Sequence, residues 1–257
     1  MERIETGHIR RRFMRALDSY DNQAEAQHRI SRKLASLLSG HTGLHFHRIL
    51  EIGCGTGSLT RCLTDQCRID EWVLNDLCEK CFEKVFDLFP NTSPLFIPGD
   101  AETLAFPGKF DLVASASVFQ WMRQPEVFLH KLASLLLPGG SLLFSTFAPG
   151  NLYEIKKLTG KGLFYPPADE WRRWLSRDFR MLHQEEETLT LAFSTPAEVL
   201  KHLRDTGVTA TGREFWTRGR LEQFSLQYQQ LFINPDNQVT LTYRPLYFLA
   251  VKKEKRI

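Results

Sequence analysis

Three carboxylates in the first half of the chain stand at positions from which they could grip a small polar ligand. Glu51 precedes the glycines of Glu51-Ile-Gly53-Cys-Gly55-Thr-Gly57, Asp76 closes Val73-Leu-Asn-Asp76, and Asp100 lies in Gly99-Asp-Ala-Glu102. The glycines permit a tight turn and close approach of a ligand that any Cβ would block. A dinucleotide enzyme uses the spacing G-x-G-x-x-G, with the pyrophosphate on a helix N-terminus. Here the spacing is one residue shorter, and a carboxylate at Glu51 would repel a pyrophosphate but favour an ammonium. Asp76 can accept from both ribose hydroxyls, and Asp100 from an adenine amino group. Each acid alone could equally be a helix cap or turn residue. Three of them at three successive strand ends point to an adenosine cofactor with an amino-acid tail, S-adenosylmethionine used for methyl transfer.

The elements that would hold these acids follow from hydrophobic patterning. Short apolar runs at 48–52, 71–74, 95–97, 110–114 and 141–146 read as buried parallel strands. Between them, 78–89 and 125–137 read as helices, the second stopped by Pro138-Gly139-Gly140. The alternation predicts a doubly wound α/β sheet with ligands at the carboxyl ends of its strands. The stretch 149–184 is too long for a plain loop and contains helical material at 169–175, ahead of an apolar run at 188–193.

Composition bounds the rest. At 257 residues, 42% hydrophobic and 25% charged, the chain fits an ordinary globular domain. No apolar run is long enough for a membrane span and the first residues carry no signal-peptide centre, so the expected location is cytoplasmic. The five cysteines (Cys54, Cys62, Cys67, Cys78 and Cys81) lie in one short stretch. Their odd number and spacing suit reduced packing thiols better than a disulfide framework or a zinc site, so no metal is expected. Net charge is only +3, but arginines cluster at Arg3, Arg10, Arg11, Arg12 and Arg15, and again at Arg172, Arg173, Arg177 and Arg180. Such clusters are either solvated faces or steering surfaces for an acidic partner; without a strongly basic balance they do not suggest nucleic acid.

Residues 49–60, 75–77, 99–104, 110–121 and 137–146 together resemble the ordered motifs of class I S-adenosylmethionine-dependent methyltransferases, over about the first 150 residues. A narrower resemblance, to the malonyl-[acyl-carrier protein] O-methyltransferase family of biotin synthesis, extends along nearly the whole chain. It rests on Phe13-x-x-Ala16-x-x-x-Tyr20-Asp-x-x-Ala24-x-x-Gln27, Phe119-Gln-Trp121, Pro166-Pro167, Leu203-Arg-Asp-Thr-Gly207-Val-Thr209 and Leu241-Thr-Tyr243. This resemblance implies one Rossmann-like domain with a mostly parallel seven-stranded sheet. Its parts would be N-terminal lid helices (1–44), a cofactor core (45–148), a small helical cap (149–185) and C-terminal elements completing the sheet and substrate site (186–257). It implies cofactor contacts from Gln27, Glu51, Gly53, Gly55, Gly57, Asp76, Leu77, Asp100, Ala101, Glu102 and Ser117, although Ser115-Ala-Ser117 replaces an Asn-containing version often seen there.

The same resemblance makes the methyl acceptor the free carboxylate of a malonyl thioester on an acyl carrier protein. That group is ionised at pH 7 and needs no general base, which suits a sequence with no Ser/His/Asp or Cys/His constellation. Tyr20, Gln120 and Trp121 are candidate positioning residues, although Tyr20 could instead lie on a core-facing helical stripe and Trp121 in the core. Arg244 is the nominee for the acceptor's carboxylate, because a guanidinium binds one bidentately. The cap and N-terminal arginines could dock the acidic carrier. Alternatives remain: a methyltransferase for another small acid or a quinone precursor, or a cofactor-binding module without catalysis. The glycine spacing disfavours an NAD-dependent oxidoreductase.

Overall fold

The computed structural model describes residues 6–40, 43–207 and 217–254. Arg3 of the opening basic cluster and Val208 and Thr209 of the motif beginning at Leu203 lie outside these residues. Two helices come first, α1 (Thr6–Gln23) and α2 (Glu25–Ser39). Then follow β1 (His45–Ile52), α3 (Ser58–Gln66), β2 (Arg68–Asp76), α4 (Cys81–Val85), β3 (Leu95–Pro98), β4 (Phe110–Ser115), α5 (Pro125–Leu135) and β5 (Leu136–Phe147). The remainder is α6 (Tyr153–Thr159), α7 (Ala168–Leu175), β6 (Phe179–Glu186), β7 (Leu189–Phe193), α8 (Pro196–Asp205), α9 (Arg218–Phe232), β8 (Val239–Tyr243) and β9 (Pro245–Lys252).

The main sheet has seven strands in the order β3-β2-β1-β4-β5-β9-β6. β1 to β5 pair in parallel, and β9 runs antiparallel to both β5 and β6. Alternation along the central strands explains the layers, because successive side chains point to opposite faces. Ile49, Leu74, Leu112 and Leu143 join one buried cluster, while Leu50, Val73, Val113 and Leu142 join the other. Such doubly buried strands read as continuous apolar runs, which is why they were visible in the sequence.

Three local expectations change. The helix expected over 78–89 is only α4 followed by a 3-10 turn (Phe86–Leu88). Its intended first residue is spent on the preceding turn, where the Cys78 N–H donates to Asp76 Oδ1 at 2.8 Å. Pro138-Gly139-Gly140 does not separate helix from strand. It forms an irregularity inside β5, between the pairs Phe110–Leu136 and Leu112–Ser141. At Gly140 a Cβ would sit about 3 Å from three backbone oxygens, so any larger residue would crowd the backbone of the bulge. Finally, the stretch expected as a cap ends in β6, a strand of the main sheet, while β7 pairs with β8 in a separate two-stranded sheet.

Candidate cofactor and active site

The turn leaving β1 is stitched to β2 by the N–H groups of Gly53 and Cys54, which both donate to the Asn75 carbonyl, at 2.8 and 3.0 Å. Gly53 has φ +70° and a Cβ there would lie 2.3 Å from Val118 Cγ2; at Gly57, φ +87°, it would lie 2.8 Å from Leu88 Cδ1. At both, positive φ and crowding by neighbouring side chains strain any larger residue, which adds a reason for glycine that does not depend on a ligand. Gly55 serves differently, its N–H donating to Asp76 Oδ2 at 2.9 Å.

Above the turn lies a cavity of about 140 Å³ whose described lining residues fall between Thr6 and Met122. It brings together Tyr20, Gln27, Glu51, Gly53, Gly55, Asp76, Leu77, Asp100, Ala101, Glu102, Ser117 and Trp121. Gly57, Gln120 and Arg244 do not line it, and neither does any residue of 149–185.

The acids in the cavity differ in state. Glu51 is 1% exposed and its Oε2 accepts from Thr60 Oγ1 at 2.8 Å. Burial pushes its carboxyl up to about 8, against the Thr60 hydrogen bond and with a smaller push from Asp76. Asp76 is likewise raised by burial and opposed by the N–H groups of Cys78 and Gly55. Each of its oxygens takes one backbone donor and keeps a further lone pair. Asp100 is already committed on both oxygens, to the Glu102 N–H at 2.9 Å and to Arg123 Nη2 at 2.7 Å. The Glu102 carboxylate turns toward the start of α5, accepting from Arg123 Nε at 3.0 Å and the Gln124 N–H at 2.9 Å. Its side chain thus has structural work, whereas the loop it belongs to reaches the cavity.

Two orphaned acceptors on the wall indicate that a polar ligand fits. Gln27 Oε1 and Ser117 Oγ are buried without a hydrogen-bond partner. Ser117 also sits at φ +57°, held by its N–H to Ser145 Oγ at 3.0 Å. Buried polar atoms without partners and non-glycine residues in this region are both uncommon, and both concentrate at binding sites. Together with Glu51 and Asp76, they match the donors of an adenosine cofactor bearing an ammonium.

Tyr20 meets Phe13 edge to face, with ring centroids 5.2 Å apart. Burial, Asp21, Asp76 and Cys81 all raise its hydroxyl above the ordinary phenol range, so it stays protonated and can donate. In the 3-10 turn Phe119–Trp121, Phe119 is the anchor, stacked on Phe144 at 4.2 Å, and this leaves Trp121 to line the cavity. Gln120 donates to the Ser117 carbonyl at 2.6 Å and so supports the strained turn from behind.

Arg244 requires a correction. Lying between β8 and β9, its guanidinium donates to the Pro149 carbonyl at 2.9 Å and pairs with Glu186, outside the cavity. The antiparallel side of the sheet carries it away from the ends of β1 to β4. The arginine that does line the cavity is Arg10, on α1. Sequence reasoning also missed how the α1–α2 junction is pinned to the glycine turn. Thr56 donates to Asp21 at 2.5 Å, and His28 Nδ1 meets Ser58 Oγ at 2.9 Å. Lys131 was missed as well; its Nζ reaches the carbonyls of Ala101, Glu102 and Leu104 and clamps that loop. No spacing signals such pairs, which join residues about 30 positions apart in sequence.

Residues 50–144 match the family described as a methyltransferase domain. The chain is 45% identical over 253 residues to malonyl-[acyl-carrier protein] O-methyltransferase of Porphyromonas gingivalis, covering 97% of each. To the enzyme of the same name from Haemophilus ducreyi it is 43% identical, over 95% of this chain and 96% of that one. Among solved structures, the N-methyltransferase NodS of Bradyrhizobium japonicum in complex with S-adenosyl-L-homocysteine matches 96% of this chain with a TM-score of 0.57 at 14% identity, a likeness of fold.

Proposed function

The chain belongs to the malonyl-[acyl-carrier protein] O-methyltransferase family, and we propose that it transfers a methyl group from S-adenosylmethionine to the free carboxylate of a malonyl thioester on an acyl carrier protein. The product, a malonyl methyl ester, would prime pimeloyl synthesis for biotin, in the cytoplasm. The observation that carries this reading is the 45% identity over 97% of both chains.

The cofactor, when bound, supplies an electrophilic methyl group on a sulfonium, which a carboxylate oxygen can take in one in-line displacement. The chain's task is then to bind, orient and exclude water. Glu51 and Gln27 Oε1 would receive the ammonium, Asp76 the ribose hydroxyls, and the loop at 100–102 the adenine. With its orphaned hydroxyl, Ser117 is placed to meet a polar group of either ligand. Tyr20, Phe13 and Trp121 would enclose the reacting groups, and Tyr20 would donate a hydrogen bond rather than remove a proton. No base is needed, since a malonyl carboxylate is ionised near neutral pH. Orientation and desolvation would supply most of the rate. Arg10, which lines the cavity and meets the exposed Glu79 at 3.5 Å, would attract that carboxylate, in the role first given to Arg244.

For the carrier, α1 is the better docking candidate of the two arginine clusters. It lines the cavity, and Arg11 and Arg15 are exposed. On α7, Arg172 and Arg173 are paired with Asp169 and Glu170. The test is to offer labelled cofactor with malonyl carrier, acetyl carrier and free dicarboxylates. Label should enter only the malonyl carrier at an appreciable rate, and the protein should restore growth to a biotin-requiring strain lacking its own methyltransferase. Transfer to another small acid, with malonyl carrier ignored, would refute the substrate assignment.

A further inference from the structure

β2 ends in Asn75-Asp76, and its neighbour β3 is a four-residue strand at the edge of the main sheet. Leu95 to Pro98 pair with Val73 to Asp76. Pro98 brings no N–H to that edge. The two carbonyls that flank it, those of Ile97 and Gly99, are taken by one side chain, Asn75 Nδ2 donating to them at 2.8 and 3.1 Å. Asn75 is buried and lines the cavity.

The same residue holds the glycine turn. Its backbone carbonyl accepts from the N–H groups of Gly53 and Cys54, at 2.8 and 3.0 Å. Asn75 thus joins two loops, the turn after β1 with its main chain and the exit of β3 with its side chain. The Gly99 N–H closes the second junction on the Asp76 carbonyl, at 2.8 Å. Beyond that junction the chain goes straight into the cavity wall, where Gly99, Asp100, Ala101 and Glu102 all stand. Lys131 holds carbonyls farther along, from Ala101 to Leu104, so Asn75 fixes where the loop starts. The position calls for an amide, because two carbonyls need two hydrogens from one buried nitrogen. Leucine has the shape without the hydrogens, and an aspartate would set its oxygens against both carbonyls.

We infer that Asn75 is a positioning residue whose side chain sets the loop at 99–102 to read the adenine base. This rests on the cofactor reading above and adds to it a determinant of base selectivity. Titration calorimetry with three ligands separates positioning from general packing: S-adenosylhomocysteine, S-inosylhomocysteine, in which a carbonyl replaces the adenine amino group, and 5′-methylthioadenosine, which lacks the amino-acid tail. Wild-type protein should prefer S-adenosylhomocysteine to its inosyl analogue about tenfold, and Asn75→Leu should reduce that ratio to about twofold. The ratio of S-adenosylhomocysteine to 5′-methylthioadenosine reports on the tail at the glycine turn, which the main chain of residue 75 still holds, and should stay within about twofold of its wild-type value. Asn75→Ser, with one donor hydrogen in place of two, should lower the base ratio in the same direction and serves if the leucine protein does not fold. An unchanged base ratio, a tail ratio that falls as far as the base ratio, or a wild type that binds both bases equally would overturn the inference while leaving the cofactor reading intact. Wild-type protein that binds none of the three ligands would overturn the cofactor reading itself.

Discussion

Glu51 and His202 are buried ionisable groups whose pKa values move in opposite directions, and each makes stability depend on pH with its own sign. Glu51 rises from 4.5 to about 8. Between those values the unfolded chain binds fewer protons than the folded one, so the contribution of Glu51 to stability falls as pH rises through that window. Glu51→Gln should remove this decline, worth up to about 4 kcal/mol, and the comparison is urea unfolding from pH 5 to 8 without cofactor. A cation entering beside Glu51 should ionise it, so cofactor binding below pH 8 should release a proton, measurable by calorimetry in buffers of different ionisation enthalpy. His202 falls from 6.5 to about 4. The unfolded chain now binds more protons in the window, so stability is lost as pH drops from 6.5 toward 4. The loss is about 3 kcal/mol, and acid unfolding of His202→Asn should be correspondingly flatter.

At the scale of elements, the cofactor loop is held by side chains from α5 and the segment before it. Lys131 lies on α5, and its ammonium serves three loop carbonyls while burial lowers its pKa. Arg123 binds Asp100 and Glu102 from outside, at 2.7 and 3.0 Å. Replacing Lys131 by Met keeps most of the apolar stem but leaves those carbonyls without their donor. The expected cost is about 1–3 kcal/mol of stability. Faster hydrogen exchange should appear at 101–104, with weaker adenosine binding. Unchanged exchange there would show that Arg123 alone orders the loop. The α1–α2 junction is attached differently, by Asp21 to Thr56 and His28 to Ser58, both on the glycine turn and the first residue of α3. Motion of these helices is therefore tied to the cofactor end of the cavity.

For the whole molecule, the sheet divides the chain into a cavity side and a support side. The strand ends of β1 to β4, with α1 and α2 over them, form the cavity. β5, β9 and α7 build an aromatic stack in which Phe144 lies between Phe119 and Phe248, at 4.2 and 4.8 Å. Carrier docking belongs to this scale, because it depends on summed charge rather than on one contact. The catalytic efficiency toward malonyl carrier should fall steeply between low and physiological salt, and Arg11→Glu with Arg15→Glu should lower it and flatten its salt dependence. Efficiency independent of salt would count against electrostatic docking through α1.

The sequence by itself determined the parallel core and the cofactor turn. Doubly buried strands are continuous apolar runs, and a turn that must adopt positive φ needs glycine, so both are local signals. It placed Glu51, Asp76 and Asp100 correctly at three strand ends for the same reason. Only the tertiary structure decided what each side chain meets. Arg244 was a sound chemical choice for a carboxylate, yet in the connection between β8 and β9 it pairs with Glu186. Tyr243 was visible only as part of a motif. Its hydroxyl lies 2.8 Å from His202 Nε2 on α8, a meeting of residues 41 positions apart that no spacing along the chain encodes.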